Sequence, residues 1–259
     1  MNFELSEEQK MIQQSVERFV QENYDLSDRI KISSEDPGYS KDYWSSMAEL
    51  GWLGLAFDEE DGGFGGNQID TLVLMEQFGK GLVLEPFLAN IVLAGGAIKR
   101  GASKALKESI IPKLIEGNLQ LTLAYAEEQS RFDIEDVATA AREDAGNFII
   151  NGKKSMVLNA ESADKVVVVT RTSGSQVDKN GISLFLVDLD NEGIERDNFP
   201  TVDGLRASEI TFKDVKVSAE NLIGEKDKGF SILQEVVNDA ILALSAEAVG
   251  AMEVLYKDT

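Results

Sequence analysis

The apolar residues of this chain change their period twice, and that change limits the folds open to it. Over residues 1–118 they recur at helical spacing; from about 119 the period falls to two; from about 226 it is helical again. The pattern predicts an α+β protein. An all-helical N-terminal domain (1–118) leads into an antiparallel, barrel-like β-domain (119–225), and then into the first helix of a further helical bundle (226–259).

Start and stop signals fill in the first stretch. Ser6 and Gln9 form a capping-box pattern ahead of Ile12, Val16, Phe19 and Val20, which share one helical face. Ser40 precedes Tyr43, Met47 and Leu50, with Gly51 as the stop, and Asn67 opens a helix that runs to Gly79. Residues 85–100 and 103–116 read as two more, the second capped by Ser103. DEEDGGFGG (58–66) is glycine-rich, but no phosphate-loop pattern surrounds it and acidic residues lead into it. It reads as a flexible interhelical loop.

In the second stretch, FIINGKKSMVL (148–158) sets Asn151-Gly152 between two apolar runs, a hairpin signal. KVVVVTR, GISLFLVDL and EITFKDVKV follow as β-branched strands. DLDNEG (188–193) mimics the opening of a calcium loop, but Phe199 stands where the closing Glu belongs, so it reads as a strand-end turn. The last helix, from about Gly229 to Tyr256, carries Phe230, Leu233, Val237, Leu244 and Ala248 as an apolar stripe that needs neighbours. The chain is therefore expected to be a fragment, or a shortened copy, of something larger.

Composition removes several chemistries. There is no cysteine and no histidine, so thiolate nucleophiles, Ser-His-Asp triads and Cys/His zinc sites are out, and no metal site is expected. Proton chemistry falls to Asp, Glu, Lys or Tyr, or to a cofactor. A net charge of −21 disfavours nucleic acid and anionic membrane surfaces as partners. MNFELSEEQK is too polar for a signal peptide, and no apolar run reaches the roughly 20 residues of a membrane span. The default location is cytoplasmic.

At the border between helices and strands, LAYAEEQSRFD (123–133) is an apolar run that breaks into carboxylates, an amide, a hydroxyl and an arginine. The ten residues from Ala124 to Asp133 align without gaps with A-x-T-E-P-x-x-G-S-D, the pattern that opens the β-domain of acyl-CoA dehydrogenases. VATAAR (137–142), FIINGKKSMVLNA (148–160), VVVVTRT (166–172), GLRASEITFKDVKV (204–217), NLIGEKDKGF (221–230) and AEAVGAM (246–252) are similar to family segments in the same order. The chain thus resembles this family over its whole length. In detail it looks most like the small subunit of pimeloyl-CoA dehydrogenase-type enzymes.

The resemblance implies FAD as cofactor, an acyl-CoA substrate, an electron-transferring flavoprotein or similar acceptor, and a homo- or hetero-oligomer. It implies that backbone groups at Tyr125 and Ala126 meet the flavin edge, and that Phe132 occupies the position of a pyrophosphate-binding hydroxyl. Met156 and Leu158 match a Trp against the ring and a Thr near its reactive nitrogen. Ala126, Phe132, Met156 and Leu158 replace Thr, Ser, Trp and Thr, so hydroxyls and a stacking ring are missing. These positions would equally suit plain β-domain core. The family's base is a Glu, in some members at the position of Ala240, where a methyl group accepts no proton. Glu247, two turns on, reads as a helix or interface residue, and no catalytic residue is assigned. Three readings follow: an FAD-dependent acyl-CoA dehydrogenase, a non-catalytic partner subunit of one, or, more distantly, a plain interaction module with no ligand.

Overall fold

The computed structural model describes residues 4–259. The helices α1 (Glu7–Asn23), α2 (Leu26–Ser34), α3 (Lys41–Glu49) and α4 (Gln68–Gly81) are followed by a π-helical stretch, Leu88–Gly95. That stretch runs directly into α5 (Gly96–Gly101), and α6 (Lys104–Ile115) ends the helical part. The cap signals hold. Ser6 and Gln9 complete a reciprocal capping box, and Ser40 and Ser103 each accept a backbone N–H from the third residue of their helices. The segment 85–100 is not one α-helix but the π-helical stretch followed by α5. The loop at 58–66 is not loose either: the N–H groups of Phe64, Gly65 and Gly66 donate to the carbonyls of Gly54, Phe57 and Leu55.

The strands are β1 (Leu121–Ala124), β2 (Ala140–Asp144), β3 (Asn147–Leu158), β4 (Lys165–Arg171), β5 (Ile182–Asp188), β6 (Ile194–Pro200), β7 (Arg206–Val217) and β8 (Leu222–Ile223). They form one sheet in the order β6-β7-β3-β2-β4-β5-β8, with β1 paired to β4. The barrel-like expectation fails because this sheet is open. β6 pairs only with β7 and ends at Pro200, which has no N–H to donate, and β8 is two residues long. Nor is the sheet wholly antiparallel, since β1 and β2 both run parallel to β4.

The four valines of β4 report its burial on both faces. Val167 and Val169 join the helices' core, while Val166 and Val168 pack with Phe148, Ile150, Phe185 and Phe212 in a second core. Asn151-Gly152 makes no hairpin. β3 runs straight through it with a register shift against β7, and a Cβ at Gly152 would collide with Thr139. The glycine serves close backbone approach rather than a turn. The turn lies earlier, at Ala145-Gly146 between the paired ends of β2 and β3, where both residues have positive φ (50° and 82°).

α7 (Phe230–Lys257) lies against α4 with Leu233, Val236, Ala240, Ala243 and Gly250 inward, so the buried stripe is rotated from the expected one and Leu244 is exposed. Two glycines set the crossing. A Cβ on Gly79 would run into the carbonyl of Glu247, and one on Gly250 into that of Glu76. No helix among the described residues is long and apolar enough to cross a membrane. Gly79→Ala and Gly250→Ala are each expected to destabilise by about 1–3 kcal/mol through overpacking, read as a lower urea midpoint. An unchanged midpoint in both would show that the helices separate freely.

Candidate functional site

β1 ends at Ala124, and the next residues leave the ladder around a buried ion pair. Lys154, on β3, has no solvent exposure, and its Nζ lies 2.7 Å from Glu127 Oε1 and 3.3 Å from the Tyr125 carbonyl. Glu127 also accepts from Gln129 Nε2 (2.8 Å), Ala138 N (2.9 Å) and Thr139 N (3.0 Å). Burial alone would raise its carboxyl, but Lys154 and these donors bring it below its ordinary value. Burial pushes Lys154 down to about 8 against the pull of Glu127.

This pair orients the strand end. The Tyr125 carbonyl points inward to Lys154, so the N–H of Ala126, trans to it in the same planar peptide, points the opposite way. The Ala126 carbonyl accepts from Ser155 N at 2.9 Å. Here the β3–β7 ladder skips Ser155 and Met156, and Met156 takes a positive φ of 52°. The bulge turns its side chain outward, 53% exposed.

The five positions singled out from sequence therefore fare differently. Tyr125, Ala126 and Met156 come together through Lys154 and the bulge. Phe132 stands 97% exposed in the loop after Glu127, so it is not core. Leu158, half-buried, lines a cavity of about 320 Å³ on the other side of β3's end. That volume lies at the lower end for small-molecule pockets, about 300–1,000 Å³.

The cavity lies between α4, α7 and the ends of β3 and β7, with Met75, Phe78, Leu84 and Leu244 among its apolar walls. Three acidic residues line it, Glu85, Asp203 and Glu247. Burial pushes the Glu85 carboxyl up to about 7, although Ser40 N donates to it at 3.1 Å and the Tyr24 hydroxyl bonds it too. Burial also raises Glu247, with the charge of Asp203 adding to it. Glu247 is a helix residue at the α4–α7 contact, as expected, and its side chain also lines the cavity. The available signal was its place among Leu244, Ala248 and Ala251 on one helical face. Asp239 lies elsewhere, bonded to Gln68 and Arg100. Glu127 and Lys154 were missed as a pair, because 27 residues separate them and no local pattern joins them.

Two family models match the chain: "Acyl-CoA dehydrogenase, N-terminal domain" over residues 6–118 and "Acyl-CoA dehydrogenase, middle domain" over residues 122–215. The mitochondrial isovaleryl-CoA dehydrogenase of Pongo abelii is 28% identical over 261 residues, 98% of this chain and 62% of its own. The caffeyl-CoA reductase-Etf complex subunit CarC of Acetobacterium woodii is 27% identical over 255 residues, 96% of this chain and 66% of its own. The FAD complex of PigA superposes with a TM-score of 0.90 at 26% identity, over 100% of this chain and 68% of that one. The chain spans about two thirds of the length of the relatives it matches.

Because Glu85 holds its proton up to about 7 when folded, against 4.5 ordinarily, the native state binds more protons than the unfolded chain between these values. Stability from this group is complete below about 4.5 and is lost as pH rises to about 7, on the order of 3 kcal/mol in all. Glu85→Gln is expected to lose less stability than the parent between pH 5 and 7.5 in urea titrations. Parallel pH profiles would refute the assignment.

Proposed function

The chain belongs to the acyl-CoA dehydrogenase family, and on that premise we propose that it serves the FAD-dependent α,β-dehydrogenation of an acyl-CoA thioester. One observation carries the reading. Met156, beside the oriented strand end, and Leu158, in the wall of the apolar cavity, lie two residues apart on β3. A cofactor edge and an acyl chain would then meet across a single strand.

The residues present fit a flavin in the respects that matter for holding a ring. The Ala126 N–H is directed outward, and the exposed Met156 side chain beside it offers an apolar face that a planar ring would cover. Tyr125 and Ala126 would hold the ring edge, Met156 its face, and Leu158 would border its reactive part. Bound there, FAD supplies the acceptor for the β-hydride. The α-proton needs a carboxylate, and Ala240, buried against α4's side of α7, stands where the family resemblance puts one. No residue of this chain is assigned that role. The chain is read as residues 1–118, a helical domain; 119–225, a β-domain; and 226–259, the first helix of a bundle.

A second reading is favoured by the missing groups: a non-catalytic partner subunit, in a homo- or hetero-oligomer that passes electrons to an electron-transferring flavoprotein or similar acceptor. The losses at Ala126 and Leu158 are neutral hydrogen bonds of about 1 kcal/mol each, and that at Phe132 is one to a charged pyrophosphate, about 1.5–3 kcal/mol. The lost ring at Met156 adds about 0.5–1.5 kcal/mol. Together they would weaken FAD by several powers of ten, allowing for non-additivity.

Two measurements test these readings. With a dye acceptor, added FAD and a range of acyl-CoAs, the chain alone is expected to show little turnover; rates like those of a complete family member would remove the partner reading. Calorimetric titration with FAD is expected to give a dissociation constant above micromolar, and Phe132→Ser with Leu158→Thr should tighten it about tenfold. Micromolar binding by the parent would mean that the backbone groups at Tyr125 and Ala126 suffice and would remove the main support of the partner reading; no gain in the double variant would count against Phe132 and Leu158 as flavin-facing positions.

A further inference from the structure

The cavity beside Leu158 is apolar on most of its wall, yet Glu85, Asp203 and Glu247 line it too, and the two glutamates are in different situations. Glu85 is provided for, accepting from Ser40 N and bonding the Tyr24 hydroxyl. Glu247 is not. Among the described residues its carboxyl accepts no hydrogen bond and has no Lys or Arg within ion-pair distance, and the charge it senses is that of Asp203, of its own sign. Arg206 also lines the cavity; its Nη2 is engaged, while its buried Nε makes no hydrogen bond among the described residues. Nη2 donates to the carbonyls of Ser33 and Glu35, and the guanidinium lies 3.9 Å from both Asp36 and Glu161.

A half-buried carboxyl with no protein partner in a largely apolar wall leaves its hydrogen-bonding capacity open to an occupant. The occupant's chemistry follows from the surroundings. A carboxylate on the ligand would meet Glu85, Asp203 and Glu247 at once, and the one guanidinium in the wall, Arg206, already lies 3.9 Å from both Asp36 and Glu161. An ammonium would need Glu247 fully ionised, which burial opposes. A hydroxyl suits both states of Glu247, since it can donate to a carboxylate and both donate to and accept from a carboxylic acid. We propose that the cavity takes an acyl chain bearing a hydroxyl group, which hydrogen-bonds the Glu247 carboxyl. This rests on the acyl-CoA reading above for the rest of the ligand, but the cavity's preference for a hydroxyl does not.

The test uses the full chain and matched probes. Octanoyl-CoA is compared by calorimetry with its 4-, 6- and 8-hydroxy forms, and 1-octanol with 1,4- and 1,8-octanediol by NMR shift perturbation. At least one hydroxylated thioester is expected to bind about tenfold tighter than octanoyl-CoA. The advantage should disappear in Glu247→Leu and persist in Glu247→Gln, with circular dichroism reporting that both variants fold. If no thioester binds but a diol outbinds octanol in a Glu247-dependent way, the acyl-CoA reading falls and this inference stands. If no hydroxylated probe gains over its parent, or the gain survives Glu247→Leu, Glu247 faces only water and the inference is overturned.

Discussion

The pairing of Glu127 with Lys154 is the constraint on which the rest of the β-region depends. Lys154 has no exposed surface, and a lone ammonium in that position would cost several kcal/mol of desolvation. Its carboxylate partner collects three further donors, from Gln129, Ala138 and Thr139, so one side chain holds the end of β1, the approach to β2 and the middle of β3. Arg171 works on the neighbouring loops. Its guanidinium donates to the carbonyls of Glu135, Gln176, Asp178 and Asn180, which closes the segment after β1 against the β4–β5 connection. Two cations thus satisfy the backbone carbonyls of loops that have no ladder to satisfy them.

From that anchor the geometry propagates in two directions. Outward, the bulge at Ser155 and Met156 follows from Ser155 donating to Ala126 rather than to β7. Inward, β3 resumes its ladder at Val157 and delivers Leu158 to the cavity. The cavity's far wall is set independently by the crossing of α4 and α7, where Gly79 and Gly250 let the backbones approach too closely for any Cβ. Space remains beside that crossing because the helices touch along a line of small residues, while Phe78 and Leu244 stand to one side of it.

Local signals were legible in the sequence and long-range ones were not. Ser6, Ser40 and Ser103 announce their helices because a cap is decided within three residues. The valine run of β4 reads as a strand from its own β-branched residues, whereas its burial on both faces depends on the two cores around it. Asn151-Gly152 misleads because glycine has two uses, and Gly152's partner in close approach, Thr139, lies 13 positions upstream. Closure of the sheet could not be read at all, since it depends on whether β6 and β8 find second partners, a matter of three-dimensional position. The rotation of α7's buried stripe has a similar origin. Hydrophobicity favours Leu244, but the contact with α4 demands the small side chains of Ala240, Ala243 and Gly250.

These distinctions decide which residues speak about function. Glu127 matches the family pattern, but its loss would strand a buried ammonium at a cost of about 3–5 kcal/mol whatever the strand end binds. Its presence therefore testifies to folding. The same holds for Lys154 and for the valines of β4. Phe132 and Met156 are different: both are largely exposed, so the fold neither requires nor forbids a hydroxyl or a ring there. What stands at those two positions is set by whatever covers them. A fully exposed phenylalanine is a poor ligand for a phosphate but a good contact for another apolar surface. Phe132 and Met156 thus give the exposed part of this strand end two apolar contacts that the fold itself does not use.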